Sequence, residues 1–123
     1  MKPTVLLFNL SPAAQSAAEV LCREIGAEAR VIAPAQQGQT LGALLGLLPE
    51  SGGTEIVPGE MLVMAYFEKG MLDAFLSLWK QRQIPSVPRK AMLTLTNTTW
   101  TGLQLYEHLS QEMAAMAATL KKP

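Results

Sequence analysis

The chain has 123 residues, 49% of them hydrophobic and 16% charged, and its ten basic and ten acidic residues cancel to a formal net charge of zero. That balance speaks against a nucleic-acid binder or a polybasic membrane binder, both of which need clustered positive charge. The length suits one domain spanning 1–123, and the hydrophobic share excludes a disordered or collagen-like chain.

Thr4 to Leu10 is an almost unbroken apolar run and reads as a strand buried on both faces. Lys2, this run and Ala13-Ala14 loosely imitate a signal peptide, but Asn9 and Pro12 interrupt the imitation. Ser11 is a good N-cap and Pro12 a good first helical residue, so a helix is predicted from Pro12 to about Ile25. Ala14, Ala17, Ala18, Leu21 and Ile25 give its buried stripe, and Gly26 ends it in a left-handed conformation. Glu28 to Ile32 alternates charged and apolar residues, the pattern of an edge strand. Thr40 caps a short helix predicted to reach Leu48, and Pro49 to Gly59 reads as a loop.

Met61 to Tyr66 is the second fully apolar strand and therefore central. A helix from Glu68 to Gln83 carries the stripe Leu72, Phe75, Leu76 and Trp79, and Pro85 and Pro88 punctuate the loop after it. Ala91 to Thr96 is the fourth predicted strand. Thr101 and Gln104 form a capping box for the last helix. That helix runs to about Leu120 with the stripe Leu103, Tyr106, Leu109 or Ser110, Met113, Met116 and Leu120. Lys121 and Lys122 stand at its C-terminal end, where the helix dipole favours cations. No internal repeat or low-complexity tract is visible.

The order βαβαβαβα predicts a three-layer α/β sandwich on a four-stranded parallel sheet. Placing the apolar strands centrally gives the order 2-1-3-4, a flavodoxin-like arrangement. In such a sheet a ligand binds beyond the carboxyl ends of the strands, where the strand order reverses. The residues expected there are Asn9 and Ser11 after the first strand, Tyr66 and Glu68 after the third, and Thr96, Asn97 and Trp100 after the fourth. Each also has a structural reading: Ser11 as an N-cap, Asn97 as the residue of an Asx-turn, Trp100 as an anchor of the last helix, and Glu68 as an acid in a first helical turn.

Other chemistry is sparse. Cys22 is the only cysteine, which fits a reducing, cytoplasmic setting, and it reads as a buried, inert thiol. His108 and Glu112 form an i, i+4 pair, too few groups for a metal site. Gly38, Gly42 and Gly46 lack the spacing of a dinucleotide fingerprint, and no P-loop, nucleophile elbow or metalloprotease motif occurs. No cofactor is indicated.

Lys90-Ala91-Met92-Leu93-Thr94-Leu95-Thr96-Asn97-Thr98-Thr99-Trp100, followed by Leu105, Leu109 and Glu112, resembles the C-terminal signature of a family of small uncharacterised bacterial proteins. This is the domain-of-unknown-function family numbered thirty-seven eighty-three. The resemblance extends from near Glu60 onward and implies no activity, substrate or catalytic residue. The residues point to a non-catalytic binding, regulatory or interaction module rather than an enzyme. Such a module would pair with a second copy through the fourth strand or through the last helix at Met113 and Met116. The alternative is a small-molecule or anion site, with or without chemistry, at the sheet edge near Ser11, Tyr66 and Asn97.

Overall fold

The computed structural model describes residues 1–50 and 52–121. Four strands, β1 (Thr4–Phe8), β2 (Glu28–Val31), β3 (Met61–Ala65) and β4 (Lys90–Met92), form one sheet in the order β2-β1-β3-β4. Every residue of β1 and β3 is buried, while β2 and β4 hold only partly buried and exposed positions. Strand polarity therefore orders the sheet from centre to edge, as expected.

The strand directions correct the expectation of a parallel sheet. β1 is parallel to β2 and β3 to β4, but β1 and β3 pair antiparallel, so the sheet is mixed and not flavodoxin-like. The physical reason lies in the connections. Each parallel pair is joined by a crossover helix, α1 (Pro12–Ile25) or α3 (Lys69–Gln81), and such a connection enforces parallel pairing. Among the described residues between β2 and β3 the only α-helix is α2 (Leu41–Leu44), one turn long, and nothing there forces β3 to run with β1. α1 and α3 pack on the same sheet face, where Ala14, Ala18, Leu21 and Cys22 of one helix join Phe75 and Trp79 of the other over Val5, Leu7, Leu62 and Met64.

The chain groups into two compact units, Met1–Ala33 with Gly59–Leu93, and Pro34–Pro58 with Thr94–Pro123. The first is built twice. Thr4 to Ala27 and Met61 to Ile84 correspond element for element at a constant offset of 57. Each copy has a five-residue strand, then a left-handed residue (Asn9, φ 58; Tyr66, φ 63), then a helix whose N-cap lies two residues further on (Ser11; Glu68). Each helix is followed by a second left-handed residue (Gly26, φ 81; Gln83, φ 55). The turn hydrogen bonds match as well: Ala27 N donates to Cys22 O at 2.8 Å, and Ile84 N to Trp79 O at 3.2 Å. Four extra residues, Pro85 to Pro88, then precede Arg89, the counterpart of Glu28, and raise the offset to 61, so that Ile32 N to Leu7 O (3.0 Å) corresponds to Leu93 N to Met64 O (2.9 Å). The β1–β3 register centres on Leu6 opposite Val63, themselves equivalent positions, which gives the sheet an internal two-fold relation about that pair. The sequence hides this repeat because the copies share shape rather than side chains. α1 uses Ala14, Ala18 and Cys22 where α3 uses Met71, Phe75 and Trp79.

The second unit holds two 3₁₀ turns, Pro34–Gln36 and Asn97–Thr99, with α2 and α4 (Gly102–Lys121). Thr40 and Thr101, equivalent at the offset of 61, each cap a helix. The Thr40 hydroxyl accepts from Ala43 N at 3.0 Å and that of Thr101 from Gln104 N at 3.2 Å. The two threonines meet in an isolated antiparallel bridge. The capping box is complete, since Thr101 N donates to Gln104 Oε1 at 2.8 Å.

Several boundaries are shorter than expected. β1 stops at Phe8 rather than Leu10 because Asn9 turns left-handed. α2 stops at Leu44 rather than Leu48, where Gly46 (φ 77) reverses the chain. β4 ends at Met92 rather than Thr96 because Thr94 is taken up by a turn around Asn97. The side chains of Leu120 and Lys121 and all of Lys122 lie outside the described residues.

Candidate functional site

Because β1 and β3 run antiparallel, the residues that follow them lie at opposite ends of the sheet. Asn9 and Ser11 are separated from Tyr66 and Glu68 by the length of a five-residue strand, about 15 Å at ~3.3 Å per residue. Thr96, Asn97 and Trp100 belong to the second unit. Within the first unit the expected edge residues thus fall in two places, and those of the second unit form a third group with its own local chemistry.

At the first, Asn9 Nδ2 donates to Gly59 O at 3.0 Å, and Ser11 N donates to Glu60 Oε2 at 3.3 Å. The Ser11 hydroxyl accepts from Ala14 N at 3.3 Å and caps α1. Glu60 places a carboxylate against the N-terminal end of α1, where the helix dipole favours negative charge. Sequence reasoning did not select Glu60, because only the antiparallel pairing brings it beside Ser11. At the second place, Tyr66 is held left-handed, and its buried hydroxyl has no hydrogen-bond partner among the described residues. Glu68 is exposed and caps α3 by position alone, with no side-chain bond.

At the third place, Asn97 is only 6% exposed and shapes a turn. Its Oδ1 accepts from Thr94 N at 2.8 Å, while its own N donates to Thr94 Oγ1 at 3.1 Å. Thr96 is exposed at the start of this turn. Trp100 is half-buried, its ring 5.1 Å from that of His108 in an edge-to-face arrangement. His108 Nε2 lies 2.7 Å from Glu112 Oε1. Trp100 and His108 line a shallow cavity of about 340 Å³ with Gln104, Glu107 and Gln111. Among the described residues no group of three His, Cys, Asp or Glu side chains is placed to hold a metal ion.

Three further features bear on function. Cys22 is fully buried, and burial, helped by the Glu19 carboxylate, pushes its thiol up to about 11. Gln37, which sequence reasoning passed over, is fully buried and accepts from Val57 N at 2.8 Å. The final turns of α4 are exposed, with Met113 at 40% and Met116 at 67%. No helix among the described residues is long and apolar enough to cross a membrane.

Residues 60–116 match the family described as Domain of unknown function (DUF3783). The resemblance read from Lys90 to Trp100 therefore holds. The match starts one residue before β3, so it spans the second copy of the repeat and most of α4. No curated protein and no solved structure matches the chain.

Proposed function

We propose that the chain is a non-catalytic interaction module whose α4 pairs with the α4 of a second copy; the family match assigns no activity and leaves this to the geometry. The single observation that carries the reading is the exposure of Met113 and Met116 on a helix whose residues 111–119 are all exposed.

The pattern of that stripe favours a second helix as the occupant. Tyr106, Leu109, Met113 and Met116 follow spacings of three, four and three, the a/d rhythm of a coiled-coil seam. Ala114, Ala115, Ala117 and Ala118 flank it and allow close backbone approach. Methionine suits such a seam because its flexible thioether fills irregular gaps. A second copy presents the same stripe, so the contact is self-complementary, as a two-fold dimer requires.

Native mass spectrometry and sedimentation of the purified chain test this directly. A dimer is expected, and Met116→Glu should return it to a monomer by placing a charge in the apolar seam. A monomer at every concentration, or a dimer unaffected by Met116→Glu, removes α4 as the interface.

A further inference from the structure

The four residues that distinguish the second copy of the repeat from the first open a cavity. In the first copy Ala27 leads straight into β2 at Glu28, whereas in the second Pro85-Ser86-Val87-Pro88 stand between Ile84 and Arg89, the counterpart of Glu28, before β4. Beneath this inserted loop lies a cavity of about 430 Å³, within the range of small-molecule pockets. Leu62, Leu76, Trp79, Ile84 and Val87 line it with apolar surface, and Leu62 and Val87 are 0% and 1% exposed. The Trp79 indole N–H donates to Pro85 O at 3.2 Å, which ties the inserted loop to α3 over the cavity wall.

The charged lining is of one sign. Lys80 and Lys90 both line the cavity and both are exposed. Lys90 Nζ donates to Val87 O at 2.9 Å, which fixes its head group on the rim and leaves two of its three donors available. Neither lysine has a carboxylate partner within ion-pair distance among the described residues. In the first copy the position equivalent to Lys90 is Ala29, and that equivalent to Leu76 is Glu19. The apolar floor and the pair of cations therefore occur together only where the loop is inserted.

We propose that this cavity binds a small apolar monocarboxylate, its hydrocarbon body against Trp79, Leu76 and Val87 and its carboxylate between Lys80 and Lys90. The apolar lining supplies the burial and the two ammonium groups select the charge. The site lies in the first unit, so it is independent of the α4 contact, and failure of either leaves the other intact.

Octanoate and octanol are the probes, since they share the hydrocarbon and differ in the head group. Full-length protein labelled with ¹⁵N is titrated with each, and the Trp79 indole resonance, distinguished from that of Trp100 by Trp100→Phe, is followed. Octanoate should shift it saturably and bind about five- to tenfold more tightly than octanol. Replacing both cations, as Lys80→Gln with Lys90→Gln, should remove that preference without changing octanol binding; both side chains are exposed, and dispersed spectra verify the fold. Raising the salt concentration on the unmodified chain should weaken octanoate alone, which tests the charge contact without any substitution. No saturable shift at Trp79, or equal affinity for the two probes, overturns the proposal.

Discussion

Asn9 and Tyr66 occupy equivalent positions directly after β1 and β3, and both are left-handed, with φ of 58 and 63. Asparagine tolerates this conformation; an aromatic residue does so at a cost of about 1–2 kcal/mol. Asn9 also closes its turn through Gly59 O. Asn9→Ala should therefore destabilise the chain by about 1 kcal/mol, and Asn9→Gly by less, because glycine restores the left-handed freedom. At Tyr66 the buried hydroxyl lacks a partner among the described residues. Tyr66→Phe should leave stability unchanged or raise it by about 1 kcal/mol, since it removes a polar group whose burial nothing compensates. Urea unfolding measures all three; a clear loss in Tyr66→Phe would mean that the hydroxyl is bonded.

The same two residues show what the sequence could convey about the site. Tyr66 and Asn9 were recognisable as strand-end positions from the apolar runs before them. That they face opposite ends of the sheet was not, because β1 and β3 are uniformly apolar and such a run reads the same in either direction. Caps carry a local chemical signal, so Ser11, Gly26, Thr101 and Gln104 were read correctly. Glu60 and Gln37 were invisible, since their partners Ser11 and Val57 lie 49 and 20 residues away.

Cys22 makes stability depend on pH in the alkaline range. Burial first, and Glu19 second, raise its thiol from 9.0 to about 11 in the folded chain. Between these values the unfolded thiol has lost its proton and the folded one has kept it, so the unfolded state binds fewer protons and stability falls as pH rises. The contribution is fully present below about pH 9 and is lost on approaching pH 11. Denaturation midpoints between pH 8 and 11 should fall more steeply for the parent than for Cys22→Ala. Thiol reagents at pH 8 should modify Cys22 only as fast as the chain opens.

Gly38 is buried in the second unit, and a Cβ there would stand 2.2 Å from the carbonyl oxygen of Gly53. Backbone cannot yield as the end of a side chain can, so Gly38→Ala should cost about 2–3 kcal/mol or more. At Gly46 a Cβ would meet nothing within 4 Å, and only its φ of 77 resists substitution, so Gly46→Ala should cost about 1 kcal/mol. Thermal melts of the two variants should separate clearly; equal losses would mean that the loop around Gly53 moves aside.

The repeat itself predicts a stabilising change. Gly26 and Gln83 end α1 and α3 in the same left-handed conformation, and each donates its N–H back into its helix, to Arg23 O at 3.3 Å and to Lys80 O at 3.0 Å. Only Gly26 is of the residue type that this position favours. Gln83 is exposed, so its side chain contributes little burial to offset the backbone cost. Gln83→Gly should stabilise the chain by about 0.5–1 kcal/mol, the left-handed cost being larger than the added freedom of glycine in the unfolded chain. The reciprocal change, Gly26→Gln, meets no heavy atom within 4 Å at its Cβ and should lose a similar amount through φ alone. Opposite signs in denaturant unfolding would confirm that the two turns are equivalent, whereas a loss in both would show that Gln83 makes a contact which its counterpart does not need.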